Sequence, residues 1–406
     1  MTARRVVTLP PGVIGEAALQ FAREARAKGA QLLELRTDLH PGPAVEAAAL
    51  AAHLPLLVAE RGVPIPESWL AVAHLVDREL PSQGSLVSLH APGPLTPGDA
   101  EARWAQAPLP PDTLIKHVEP LGEVPSAGRL LETQSRLIAR FGPQRVTVLA
   151  TGALALPFRA ALSERNALDY VAATPRWRAA SGQRLLDDAV RATRNTRPGG
   201  RLGILGTVID GSRSPRIHTQ PFDRVDLPED APVEALVDAL RPHYRGFAVT
   251  SPFKLRLARH LGSKLEAVNT LVRTGSGWET FNTDVDGARA VLERLGARVT
   301  LLGDGGASAA LRLAAQGLGI SALTVKREEA GHTLRTHCVW TWPPRVAPPQ
   351  GLSFAPGTQV AIIAYGAAAH VISAAITACG GTPLRLGARW FIAQARAQRS
   401  HWENAV

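Results

Sequence analysis

Lys28, Lys116, Lys254, Lys264 and Lys326 are the only lysines in a chain whose positive charge is otherwise carried by arginine. A guanidinium keeps its proton in a protein, whereas an amine can lose one and then attack a carbonyl or pass the proton on. Each lysine is therefore a candidate for acid–base or covalent chemistry. Lys116 ends the apolar pair Leu114-Ile115, and Ser88-Leu89-His90 ends another apolar run. If both runs are strands of a barrel, the amine and the imidazole meet at the end where barrel enzymes do chemistry. Lys254 closes the segment Val249-Thr250-Ser251-Pro252-Phe253 and is a further amine able to give or take a proton.

A third feature is the turn Gly303-Asp304-Gly305-Gly306, between the apolar run Val299 to Leu302 and the helix-like Ala307 to Gln316. Gly303, Gly305, Gly306 and Ala307 let a pyrophosphate approach the backbone, and the helix start offers free N–H groups and a positive dipole end. Thr324-Val325-Lys326-Arg327 ends the next strand candidate. A cationic pair there suits the 2′-phosphate of NADP, with Arg327 the first choice and Lys326 the second. Taken singly, these lysines read as solvated side chains and the turn as an ordinary tight turn; the grouping gives them meaning.

These groups need elements to hold them. Strand candidates run at Val6 to Leu9, Leu32 to Leu35, Leu54 to Ala59, Ala73 to Val76, Leu86 to Leu89, Leu114 to Val118, Val146 to Ala150 and Leu168 to Ala172. Helix-like stretches such as Gly15 to Lys28 and Ser126 to Arg140 are interleaved. That alternation predicts a (β/α)8 barrel, reduced by one outer helix because Asp77 to Ser88 is too short to contain it. The breaker-rich Thr196-Arg197-Pro198-Gly199-Gly200 predicts a linker, after which Leu202 to Leu205 starts a second α/β pattern. The pattern gives a barrel over 1–195 and a second α/β region from 201. The last amphipathic helix is expected from about Ala388 to Trp402.

The net charge of +10 is scattered, with no basic block or aromatic-interleaved stripe, which argues against nucleic acid as a partner. It agrees with anionic carboxylates and a phosphorylated cofactor. No apolar run is long enough to span a bilayer and no leader pattern is found, so a soluble, cytoplasmic protein with no membrane partner is expected. Cys338 and Cys379 are too few for a disulfide framework, and no metal-ligand spacing surrounds them.

Five ordered segments of the second half resemble shikimate dehydrogenases. They are Gly206 to Pro215, Val249 to Lys254, Ala267-Val268-Asn269-Thr270, Asn282-Thr283-Asp284, and Trp390 to Gln394. The resemblance implies that the second α/β region divides into a substrate domain over 201–297 and 386–406 and a Rossmann domain over 298–385. It also implies Lys254 as the acid, Asp284 as its orienting partner, Ser212 and Ser214 on the substrate carboxylate, and Asn269, Thr250 and Gln394 on ring hydroxyls. Tyr365-Gly366 matches part of a further substrate-side segment. Ala248 replaces a usual asparagine, Asp304 intrudes into the glycine turn, and Trp340 to Pro349 is more proline-rich than the usual loop beside a nicotinamide.

The first half resembles type I 3-dehydroquinate dehydratases through Glu34-Leu35-Arg36, Val87 to His90, Ile115-Lys116, Phe158-Arg159 and Ser181-Gly182-Gln183. The resemblance implies Lys116 as the imine-forming amine and His90 as base and then acid. It assigns Glu34, Arg36, Arg61, Arg159 and Gln183 to substrate, with Arg159 as a carboxylate clamp. Ala179 replaces a family serine. The histidine-orienting carboxylate is expected just after Arg61, where Gly62 to Pro66 has none and prolines displace Glu67.

Together the resemblances imply a fusion in which 3-dehydroquinate loses water and 3-dehydroshikimate is then reduced to shikimate with NADPH. The alternatives are a shikimate or quinate dehydrogenase carrying an inactive dehydratase-like scaffold, and a ligand-responsive binding protein. Oligomeric state is left open.

Overall fold

Every one of the eight strand candidates of the first half forms a strand in the computed structural model, which describes residues 3–41, 45–194, 200–218, 220–344 and 346–404. They are β1 (Arg4–Thr8), β2 (Leu32–Arg36), β3 (Leu56–Ala59), β4 (Ala73–Glu79), β5 (Leu86–His90), β6 (Leu114–Pro120), β7 (Val146–Thr151) and β8 (Leu168–Val171). Neighbours in sequence pair in parallel from β1 to β7, and β8 returns to pair with β1. The β7–β8 seam carries no ladder among the described residues. There Ala167 N–H donates to Val146 O at 2.7 Å, and the Asn166 amide bonds both Val148 N and Val148 O at 2.9 Å. A side-chain amide thus stands in for a strand residue and satisfies backbone groups that closure would otherwise leave bare.

Period-2 alternation sets what the barrel encloses. Leu32 and Glu34 on β2, Leu75 and Asp77 on β4, Leu86 and Ser88 on β5, and Lys116 and Tyr170 on β6 and β8 are all buried. Val6, Leu32, Leu57, Leu75, Leu86, Leu149 and Leu168 form the apolar floor, in one cluster with Tyr170. A separate apolar shell, including Ala18, Ala22, Leu33, Leu35, Leu50 and Trp69, packs outer helices on the strands.

The reduced side of the barrel lies between β4 and β5, where residues 80–85 form no helix. Only the last three residues of β4 pair with β5, Asp77 with Leu86 through Glu79 with Ser88. The chain therefore steps back a short way, which six residues can span at about 3.3 Å each. Gly84 is needed there, since a Cβ would stand 2.5 Å from Val76 O.

Compactness divides the chain into 1–253 and 254–406. The expected linker 196–200 lies outside the described residues except for Gly200. In the first unit, strands Phe222–Asp226, Leu202–Gly206 and Gly246–Val249 pair in parallel in that spatial order. They are tied to the barrel by a buried ionic network: Arg184 Nε stands 3.2 Å from Asp223, Arg201 2.7 Å from Asp223, and Arg224 2.5 Å from Asp188. Burial alone would raise Asp223, but Arg201 and Arg184 hold it below the ordinary carboxylate range.

In the second unit, Thr270–Arg273 and Trp278–Phe281 form an antiparallel hairpin. Five parallel strands follow in the spatial order Ser321–Val325, Arg298–Leu302, His337–Trp340, Gln359–Ile362 and Thr382–Arg385. Sequence order is thus 2-1-3-4-5, which places a topological switch between Arg298–Leu302 and His337–Trp340. The last helix, Gly387–Asn404, meets helix Asp284–Leu292 where Trp390 covers Gly287, and a Cβ on Gly287 would lie 3.0 Å from that ring. Cys338 is buried in this unit and its thiol is pushed up to about 12 by that burial. No described helix is long and apolar enough to cross a membrane, and no described cluster of His, Cys, Asp or Glu could hold a metal ion.

Two candidate active sites

The mouth of the barrel opens into a cavity of about 350 Å³ lined by Glu34, Arg36, Arg61, His90, Lys116, Arg159 and Gln183, the whole set named from sequence for that half. Thr8, Glu119, Tyr170, Ala179 and Ala180 also line it. Register explains the convergence: Ser88 is opposite Lys116 and His90 is opposite Val118, so Ser88 lies buried next to the Lys116 position while His90, on the same face of β5, lines the cavity with Lys116.

Lys116 Nζ donates to Asp77 Oδ2 at 2.5 Å and lies 4.8 Å from the centre of the Tyr170 ring. The same carboxylate accepts from Arg61 Nη2 at 2.5 Å and from Ser88 Oγ at 2.6 Å. Burial pushes Asp77 up, but Lys116, Arg61 and the hydrogen bonds from Lys116 and Ser88 bring its carboxyl below the ordinary range. Arg61, assigned to substrate from sequence, thus also neutralises this buried centre.

His90 Nδ1 lies 2.9 Å from Glu79 Oε1, and the ring N–H donates to that carboxylate. The carboxylate sought after Arg61 is absent there, and Glu67 is exposed on a short helix. Glu79, two residues beyond Asp77 on β4, stands beside the histidine. Burial raises its pKa, but the His90 hydrogen bond and charge and the Arg61 charge leave it below the ordinary value. With Nδ1–H engaged, Nε2 carries the lone pair that can act as base.

Arg159 is 3% exposed on helix Ala155–Ser163 and donates to Tyr170 O at 3.0 Å. Among the described residues no carboxylate pairs with it, and burial draws its pKa down to about 10, with Asp169 opposing. A buried cation with only carbonyl partners fits an incoming carboxylate. Glu34 accepts from Thr8 Oγ1 at 2.6 Å, and Arg36 grips Asp38 at 3.0 and 2.7 Å. Gln183 Oε1 accepts from the N–H groups of Ala179 at 2.7 Å and Ala180 at 3.3 Å, so the main chain of these alanines holds the amide in place.

In the second half of the chain, Ser212 and Ser214 follow strand Leu202–Gly206, and Thr250 follows the adjacent strand Gly246–Val249. Gly206 admits Thr250, whose methyl would lie 2.2 Å from any Cβ at 206. Ala248 fills the buried interior of its strand.

In the unit 254–406, Lys254 Nζ donates to Asp284 Oδ2 at 2.5 Å, where both begin helices. Lys254 is 24% exposed and Asp284 7% exposed, so the pair faces a partly wet site in which the amine can exchange a proton. Asn269 is fully buried: its Oδ1 accepts from Thr283 N at 2.8 Å and Thr270 Oγ1 at 2.9 Å, and its Nδ2 has no partner among the described residues. Gln394 is half-buried on the last helix. Gln398, one turn further on, was not singled out from sequence, and it donates to Asn269 O at 3.2 Å and Thr270 Oγ1 at 3.1 Å. Tyr365 is 38% exposed and its ring lies 5.6 Å from that of Phe391.

The glycine turn fits a dinucleotide. Gly303 adopts φ +121° where a Cβ would meet Thr341 Oγ1 at 2.7 Å, while Cβ atoms on Gly305 and Gly306 would meet nothing within 4 Å. The helix Gly306–Leu318 thus presents an open N-terminus at the switch between the first and third strands. Asp304, the intruding acid, pairs with Arg312 at 2.6 Å, and that guanidinium also reaches Thr324 Oγ1 at 3.5 Å. Lys326 and Arg327 are exposed just past the strand end, and Arg327 Nη2 donates to Ala347 O at 2.9 Å.

A 2-1-3-4-5 sheet with an open glycine turn and a lysine–carboxylate pair defines a dinucleotide-fold α/β protein. Comparison with known proteins narrows the class. No family model matches the chain. The NADP(+) shikimate dehydrogenase of Anaeromyxobacter sp. strain Fw109-5 is 30% identical over 210 residues, 45% of this chain and 69% of that one. The chain belongs to the shikimate dehydrogenase family. The corresponding enzyme of Anaeromyxobacter sp. strain K is 36% identical over 154 residues, 32% of this chain, and the chain spans 55% of that relative's length. A solved structure of dehydroquinate dehydratase and shikimate dehydrogenase from S. pombe AroM is 18% identical with a TM-score of 0.37, over 99% of this chain and 96% of that one.

Proposed function

We propose that the chain is a two-site enzyme that dehydrates 3-dehydroquinate in the barrel and reduces the resulting 3-dehydroshikimate to shikimate with NADPH. The three-part division into barrel, substrate domain and Rossmann domain is part of this reading. The observation that supports it best is the barrel cavity, which gathers Lys116 and His90 with the arginines a carboxylate substrate needs.

In the barrel, Lys116 Nζ attacks the ketone carbon and the ketone oxygen leaves as water, giving an imine. Forming it requires the ammonium to lose a proton, and Asp77 is placed to receive it. His90 Nε2 then removes the proton beside the imine carbon and returns it to the departing hydroxyl, which leaves as a second water. Hydrolysis of the imine consumes one water and restores the amine. Glu79 holds the imidazole in the tautomer this needs, and Arg159 takes the carboxylate.

At the second site Ser212 and Ser214 bind the carboxylate, while Asn269, Thr250 and Gln394 bond ring hydroxyls. NADPH, when bound, supplies the hydride. Gly303, Gly305, Gly306 and Ala307 would hold its pyrophosphate, and Arg327, with Lys326, its 2′-phosphate. Lys254 gives a proton to the oxygen on which charge develops, and Asp284 keeps the amine in place.

A second reading keeps the dehydrogenase and makes the barrel an inactive scaffold. One observation favours it: an ammonium bonded to a buried carboxylate is not a nucleophile until its proton leaves. Borohydride reduction in the presence of 3-dehydroquinate separates the two. A reduced adduct on Lys116 is expected from the two-site enzyme; a folded protein that gives none is a scaffold at that end.

A further inference from the structure

One ion pair joins two loops that carry different chemistry. Arg178 stands beside Ala179 and Ala180, which with Gln183 line the barrel cavity. Its guanidinium grips Asp210 on both oxygens, Nη2 to Oδ1 at 2.8 Å and Nη1 to Oδ2 at 3.2 Å. Nε of the same arginine donates to Gln183 O at 3.2 Å. Asp210 sits two residues before Ser212, in the segment 206–215 read as the carboxylate loop of the second site. That segment is pinned again at Ser212, whose carbonyl accepts from Arg224 Nη2 at 3.2 Å while Arg224 Nη1 holds Asp188.

Between strand end and pins, Val208 has φ +56° and is 83% exposed. A β-branched residue in that region is strained and persists only where surrounding contacts over-determine it. The loop is thus held in a conformation its own sequence disfavours, and Asp210 is one of the restraints. The Arg178 and Asp210 side chains are 22% and 31% exposed, so the pair adds little to global stability. Its consequence is positional: a shift of Asp210 moves Arg178, and with it the Gln183 carbonyl and the cavity wall.

We infer that the Arg178–Asp210 pair couples the two sites, so that a carboxylic acid bound at the Ser212–Ser214 loop tightens binding of 3-dehydroquinate in the barrel. Ordering segment 206–215 pre-orders Gln183 and the main chain of Ala179 and Ala180, and the second ligand no longer meets that ordering cost. Reciprocity requires dehydroquinate to tighten the acid at the other loop by the same factor. The inference rests on the two-site reading above.

The test is the KM for 3-dehydroquinate in the dehydratase reaction of the full chain, without NADPH, at zero and at saturating shikimate. Shikimate is expected to lower KM about fivefold, the lower end of ordinary coupling factors. Arg178→Ala and Asp210→Asn are expected to abolish the shift, and the charge-swapped double variant Arg178→Asp with Asp210→Arg to restore it in part. An unchanged KM, or a shift that survives either single variant, overturns the coupling. So does a shift that persists when Ser212 and Ser214 are both alanine, because shikimate would then be acting in the barrel itself. If no dehydratase turnover is found, the two-site reading fails separately. Calorimetric titration of the unconverted 3-dehydroquinate, with and without shikimate, then decides the coupling by the same criterion.

Discussion

Glu79 Oε1 lies 2.9 Å from His90 Nδ1, so β4 sets against the imidazole a carboxylate that the stretch after Arg61 does not offer. It arises because β4 continues through Asp77-Arg78-Glu79 and pairs with β5, bringing Glu79 opposite Ser88 and next to the imidazole.

A carboxylate in that position fixes the imidazole tautomer and steadies the charge the ring gains as it takes a proton. Glu79→Gln keeps the shape and is expected to lower dehydratase kcat by about tenfold to a hundredfold, with KM changed by less than about threefold. Steady-state kinetics on the purified variant, beside Glu67→Gln as a neighbour of no expected effect, provide the check. Wild-type kcat in Glu79→Gln would show that His90 needs no partner.

Asp77, itself fully buried, joins Lys116, Arg61 and Ser88 at the floor of the cavity. Removing the charge leaves two cations without their shared anion, and breaking a buried pair in this way costs about 3–5 kcal/mol. Asp77→Asn is therefore expected to unfold at clearly lower urea concentration than wild type. The pH dependence has a definite sign. A carboxyl held below its ordinary range in the folded state contributes fully above about pH 4 and loses that contribution as pH falls through the folded value. Urea midpoints measured from pH 7 down to pH 3 are expected to fall less steeply in Asp77→Asn than in wild type.

Gly303 has no room for a side chain, with Thr341 Oγ1 2.7 Å and the Trp342 ring 2.9 Å from its missing Cβ at a φ of +121°. Gly303→Ala is expected to displace the turn and raise KM for NADPH by about tenfold or more, while leaving dehydratase activity intact. Equal losses in both activities would point to global unfolding instead, and circular dichroism on the same sample distinguishes the two.

Arg312 neutralises Asp304 at 2.6 Å in the glycine turn. Arg312→Ala frees a carboxylate beside the place where pyrophosphate is expected, and Arg327→Ala removes a cation from the strand end. Both are expected to weaken NADPH, by about tenfold each, but only Arg327→Ala should narrow the preference for NADPH over NADH. Fluorescence titration with both cofactors measures this. An unchanged cofactor ratio in Arg327→Ala removes it from the 2′-phosphate.

Much of the barrel was legible because a parallel strand buried on both faces writes a continuous apolar run, as in Leu56–Ala59, and amphipathic stretches separate most of the runs. The charged end of β4 hid Glu79: Asp77-Arg78-Glu79 reads as loop, although extending the period-2 pattern from Leu75 places Asp77 and Glu79 on the inner face. Lys254 and Asp284 were legible as motif residues, whereas Arg312 has no local signal, since its partner is eight residues away at the turn before its helix. The Arg178–Asp210 pair joins segments of two separate motifs, and the Asn166 seam exists only once the barrel closes. Strand His337–Trp340 was missed because the proline-rich loop that begins at its end dominates the pattern there.

NADPH oxidation by the full chain, followed with 3-dehydroshikimate and separately with 3-dehydroquinate, tests the two-site account most directly. Both substrates should be reduced with one NADPH consumed per molecule. Lys254→Ala should lose both activities by about a hundredfold or more, and Lys116→Ala only the second. A folded protein that oxidises no NADPH with 3-dehydroshikimate, or a Lys254→Ala variant that matches wild type, contradicts the account.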